Sequence, residues 1–159
     1  MIDETYYCHT STGWVHFDPG KGTKHFDAWW ALLICDEEIL KYYAWLALKY
    51  GVVIQTGSRW RSHVSFIKGQ KPQRMPFWGR RECQKVEFRY SNVIRWDNGK
   101  HAWLDVYSPE LNEIRKELGI PPKDTYHLTI GRLDVEKDPM DHKYDHKVVS
   151  RSSKGWKKF

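Results

Sequence analysis

Two stretches of this 159-residue chain carry one short pattern, His63-Val64-Ser65-Phe66 and His127-Leu128-Thr129-Ile130. Each reads histidine, apolar, hydroxyl, apolar. A period of two is that of a β-strand, whose successive side chains point to opposite faces. His63 then shares a face with Ser65, and His127 with Thr129, while Val64, Phe66, Leu128 and Ile130 point into a core. Histidine changes charge near neutrality, with an unperturbed pKa of about 6.5, so two of them can serve one reaction as base and acid. The hydroxyls can hydrogen-bond a phosphoryl oxygen and stabilise the charge that grows on it. Two imidazoles and two hydroxyls around one phosphorus are the parts of a metal-free phosphodiesterase. One such tetrapeptide in a strand is more often structural; the signal is the pair. His142 and His146 have i, i+4 spacing, but DPMDHKYDHK lacks a helical apolar stripe and reads as a charged loop rather than a metal site.

The elements that must position these residues can be read around them. GWVHF at 13–17 is a strand closed by the turn-rich DPGKG. AWWALLICD is a buried strand running into a helix, with Asp36 as N-cap and Glu37 and Glu38 at the positive end of the helix dipole. Leu40, Tyr43, Ala44, Ala47 and Leu48 make the expected apolar face, and Gly51 the stop. QKPQRMPFWGRRE reads as an exposed loop, and KVEFRYSNVIRWDNGKHAWLDVYS as a hairpin turning at Asp97-Asn98-Gly99. Ser108-Pro109-Glu110 opens a second helix with buried Leu111, Ile114 and Leu118, ended by Gly119. TYHLTIGRL is the second histidine strand, and the tail from Val135 is a charged loop or a late-docking segment. The order repeats: a tryptophan-bearing strand, a capped helix, a histidine strand, over roughly 28–67 and 101–131. Trp30 and Trp103 stand at the start of each copy. A duplicated strand–helix–strand unit sets the two histidine strands side by side about a pseudo-twofold axis.

The whole composition fits one domain spanning 1–159, 40% hydrophobic and 15% aromatic. A formal net charge of +6 favours an anionic partner such as a phosphodiester. Cys8, Cys35 and Cys83 are odd in number and widely spaced, which reads as reduced thiols in a cytoplasmic protein. The opening Met-Ile-Asp-Glu has no basic signal region, and no apolar run reaches membrane-spanning length, so no membrane is expected.

With both tetrapeptides matching position by position, the chain resembles the 2H phosphoesterase superfamily, from about Trp14 to Leu133. The resemblance implies an α+β, bilobal fold: two pseudo-symmetric lobes of antiparallel sheet, helices outside and a central cleft. It implies His63, Ser65, His127 and Thr129 as catalytic residues, no metal or other cofactor, and RNA-type phosphodiesters as substrates. Within the superfamily, size, FDAWWALL, HVSFIKG and an aromatic in the tail resemble phage enzymes that destroy the cyclic-oligonucleotide signals of bacterial CBASS immunity. A cyclic di- or trinucleotide partner in the host bacterial cytosol follows from that resemblance, with no obligate protein partner.

Further residues are candidates for binding. Lys68 and Arg132 each lie five residues past a motif histidine, and strand parity turns both away from it unless Gly69 or Gly131 turns the chain. Trp156 could stack a nucleobase, an interaction of about 1–3 kcal/mol that suits any base. Trp14 and Tyr7 are weaker stacking candidates. Arg59, Trp60 and Arg61 interleave charge and aromatic before the first motif, with Trp60 on the parity opposite to His63. Two other readings keep the same residues: an RNA-processing or 2′,3′-cyclic phosphodiesterase, and a basic module that binds a nucleotide or RNA without turnover.

Overall fold

Asp36 and Ser108 start the two helices through their own side chains. Asp36 Oδ1 accepts the Glu38 amide at 3.0 Å, and Ser108 Oγ accepts the Leu111 amide at 3.3 Å. They open α1 (Glu37–Lys49) and α2 (Pro109–Glu117), with Pro109 at the first helical position. Gly51 and Gly119 come after them at φ 82° and 76°, a left-handed conformation that suits glycine. The computed structural model describes residues 2–57, 60–97 and 101–133, together with the backbone of 157–158. Trp156, His142, His146, Arg59, Asn98 and Gly99 lie outside the described residues.

The strands are β1 (His9–Phe17), β2 (Trp30–Ile34), β3 (Ile54–Gln55), β4 (His63–Lys68), β5 (Lys85–Tyr90), β6 (Val93–Trp96), β7 (His101–Tyr107), β8 (Tyr126–Leu133) and β9 (Lys157–Lys158). All pair antiparallel. Six of them close a ring, β1 to β2 to β4 to β8 to β7 to β5 and back to β1. The protein is therefore α+β, its described residues forming a small closed antiparallel barrel with two α-helices. β3 adds to β8, and β6 with β9 adds to β7.

One face of the ring is apolar throughout. Val15, Leu33, Val64, Leu104, Val106 and Leu128 are 0–1% exposed and share a cluster with Ile39, Leu40, Tyr43 and Ala47 of α1 and Leu111 and Ile114 of α2. Leu48, expected on the buried face of α1, is 57% exposed. At about 100° per residue it stands some 140° around the helix from Tyr43, and Ile39 takes the buried place. The stretch expected as one hairpin is three strands. The chain breaks at Ser91-Asn92, so that β5 reaches β1 while β6 and β7 form the hairpin. No helix among the described residues is long and apolar enough to cross a membrane.

Arg115 is the one fully buried cation of the core among the described residues, 2% exposed. Its guanidinium donates to the carbonyls of Phe66 (2.6 Å) and Pro121 (2.7 Å) and to Gln70 Oε1 (2.8 Å), tying α2 to β4. Burying a charge requires such partners.

Candidate active site

The two motif strands are neighbours. β4 and β8 pair antiparallel with Val64 opposite Leu128, the second residue of each motif. Both residues are fully buried, and alternation turns His63, Ser65, His127 and Thr129 to the other face, away from the core. Extending that register by one residue on either side sets His63 against Thr129 and Ser65 against His127. Each histidine thus faces the hydroxyl of the other motif, about a twofold axis through the Val64–Leu128 pair. His63, Thr129 and Arg132 line one cleft, with Trp60 and His101.

Lys68 and Arg132 lie on this same face, contrary to their strand parity. Ala31 pairs Ile67 and Leu32 pairs Ser65, which leaves Phe66 as an extra residue. Ala102 pairs Gly131 and Trp103 pairs Thr129, which leaves Ile130 as an extra residue. Each motif therefore carries a β-bulge at its fourth position, and one added residue reverses the phase of the rest of the strand. Lys68 comes to lie opposite Trp30, its Nζ 4.5 Å from the centre of the indole. Arg132 comes to lie opposite His101. The same pairings correct the expected match of Trp30 with Trp103. Counted from the motifs, Trp30 corresponds to His101 and Trp103 to Leu32.

Both tryptophans nonetheless serve a motif, in different ways. Trp30 Nε1 donates to Ser65 Oγ at 2.9 Å. An indole N–H only donates, so Ser65 accepts there and keeps its own O–H to donate outward. Trp103 stacks under the His127 ring, centres 4.6 Å apart and planes at 25°. Trp60, expected on the far side, lies edge-on to Trp30 at 5.6 Å and lines the His63 cleft. It precedes β4, so strand parity does not govern it.

The surroundings of each imidazole set its protonation. His63 Nδ1 lies 2.6 Å from the Arg61 carbonyl. A carbonyl only accepts, so Nδ1 carries the proton and Nε2 of the neutral ring is the bare nitrogen. Burial pushes the His63 pKa below the ordinary 6.5; the Arg61 carbonyl and Glu37 oppose this, and Lys68 reinforces it. The His127 pKa is also lowered, first by desolvation, then by Lys123 and Arg95, against Asp105 and Asp97. Asp105, which sequence reasoning missed, is 4% exposed and stands opposite His127 in the sheet. No motif marks it; its importance comes from its partner strand.

The remaining candidates divide by place. Trp14, 53% exposed, lies in a cross-sheet row with Ile34 and His63 on the site face. Neighbouring strands are about 4.8 Å apart, so Trp14 stands roughly 10 Å from His63. Tyr7 donates its hydroxyl to Thr125 Oγ1 at 3.1 Å, two residues before His127. Its pKa is raised chiefly by burial. Among the described residues no three histidine, cysteine, aspartate or glutamate side chains cluster as metal ligands. Comparison with protein-family models, with curated proteins and with solved structures finds no match to this chain.

Proposed function

We propose that this chain is a phosphodiesterase of the 2H type, with two pseudo-symmetric halves meeting at the β4–β8 pair, that cleaves 3′,5′ bonds of cyclic di- or oligonucleotides without a metal. The observation that supports it most is the pairing at Val64–Leu128, which gathers two histidines and two hydroxyls on one solvent-facing surface. One histidine removes the proton of a ribose 2′-hydroxyl, and the 2′-oxygen attacks the adjacent phosphorus. The bond from phosphorus to the 5′-oxygen breaks, and the second histidine gives that oxygen a proton. Ser65 and Thr129 hold the non-bridging oxygens, where charge accumulates. The product end is a 2′,3′-cyclic phosphate, which water can open with the histidine roles exchanged. Lys68 and Arg132 neutralise phosphate charge from either side, and Trp14, Tyr7 and Trp156 are the stacking residues for bases. The resemblance to phage enzymes points to substrates among the nucleotide signals of CBASS immunity, in a bacterial cytosol.

The test is turnover of 3′,3′-cyclic dinucleotides in EDTA, with mass analysis of the products and a 2′,3′-cyclic mononucleotide in parallel. His63→Ala and His127→Ala should each lose about 10²–10⁴-fold in rate with the far-UV spectrum unchanged. Substantial turnover by either variant, or activity that returns only with a divalent ion, would sink the reading. Stoichiometric binding without product would favour the binding module.

A further inference from the structure

The two halves of the site differ at one matched position. Ile34 lies across the sheet from His63, whereas Asp105 lies across from His127. Three donors converge on the buried Asp105 carboxylate. Trp103 Nε1 reaches Oδ1 at 3.0 Å, while the Tyr6 hydroxyl and Arg95 Nη1 reach Oδ2 at 2.7 and 2.8 Å. His127 Nε2 is 4.0 Å from Oδ1, the oxygen that accepts from the indole. That same indole stacks under the imidazole. Trp103 therefore couples the two, fixing the carboxylate by its edge and the histidine by its face. On the other side, Ile34 offers no charge, and the Arg61 carbonyl holds His63 in the tautomer with Nε2 bare.

We propose that Asp105 is a positioning residue that keeps the resting proton of the pair on His127, so that His127 is the general acid and His63 the general base. This rests on the phosphodiesterase reading. His63 Nε2 takes the 2′-hydroxyl proton as the bond from the 2′-oxygen to phosphorus forms, and the imidazolium of His127 gives its proton to the 5′-oxygen as the bond from phosphorus to that oxygen breaks. Asp105 of β7 and Asp97, just after β6, favour the imidazolium of His127. Arg95 of β6, Lys123 before β8 and the packing of the ring oppose it. Around His63, burial and Lys68 of β4 oppose the charge, while Glu37 of α1 and the Arg61 carbonyl favour it.

Two measurements test the assignment, one of them independent of turnover. Imidazole ¹⁵N shifts recorded against pH should show His127 titrating above His63. Asp105→Asn, which keeps the shape and an acceptor for Trp103, should lower the His127 value by about one pH unit and move His63 less. A His63 that titrates above His127, or a His127 indifferent to the substitution, overturns the proposal. The second measurement uses uridine 3′-(4-nitrophenyl phosphate), whose nitrophenolate departs without a proton. His127→Ala and Asp105→Asn should recover to within about tenfold of the wild-type rate on this ester, while His63→Ala stays deficient on it and on a cyclic dinucleotide. Rescue of His63→Ala instead overturns the assignment alone. A wild-type chain that turns over neither substrate overturns the phosphodiesterase reading, and the assignment with it.

Discussion

His63 joins the site to the stability of the fold. Its pKa lies below the ordinary 6.5, so as pH falls the unfolded chain takes up the proton first. The contribution to stability is fully present above about pH 6.5 and is lost as pH falls through the folded value. His127 is shifted in the same direction. Urea midpoints should therefore drop between pH 7 and pH 5, and His63→Gln with His127→Gln should remove much of that slope; an unchanged slope in the double variant contradicts it. At this scale the sequence was informative where chemistry is local. The alternation of His63 with Ser65, and of His127 with Thr129, is written in consecutive letters. Asp105 acts from a strand remote in sequence, and nothing in its immediate neighbours marks it; Trp30 and Trp60 stood out as residues, but their contacts with Ser65 and with each other come from the fold.

The elements show the same division. Asp36 and Ser108 were legible as caps because a cap needs only the next few residues. The bulges at Phe66 and Ile130 were not, because an extra residue is extra only against a partner strand. They decide whether Lys68 and Arg132 belong to the site. Gly131 sits beside the second bulge, where a Cβ would collide with the Gln55 carbonyl and meet Ile54 Cγ2 at 2.9 Å. Backbone cannot yield there as a side-chain tip can. Gly131→Ala should cost about 2–4 kcal/mol in chemical denaturation, by forcing β3 away from β8. A loss under about 0.5 kcal/mol would mean that β3 docks more loosely than its pairing with β8 implies.

Over the whole molecule, the excess of basic residues bears on encounter rather than fold. With a net charge of +6 and the anionic substrate proposed above, attraction beyond the cleft is screened by salt. Raising sodium chloride from about 50 to 300 mM should raise KM several-fold and leave kcat within about twofold. A KM indifferent to salt would remove steering from the account. The α+β class and the adjacency of the histidine strands were legible from the repeated strand–helix–strand order. The closed ring was not, because β1 joins β2 to β5 across a sequence distance that no local pattern records.

That closure also has an order in time. During synthesis β1, β2, β4, β5 and β7 all leave the ribosome before β8, and β8 alone joins β4 to β7. The seam that completes the ring is thus the seam that brings the second histidine beside the first. A nascent chain carries one motif on an open edge and lacks the second until its last ring strand arrives. Any ligand that grips both motifs holds that seam shut, and so selects finished molecules from unfinished ones.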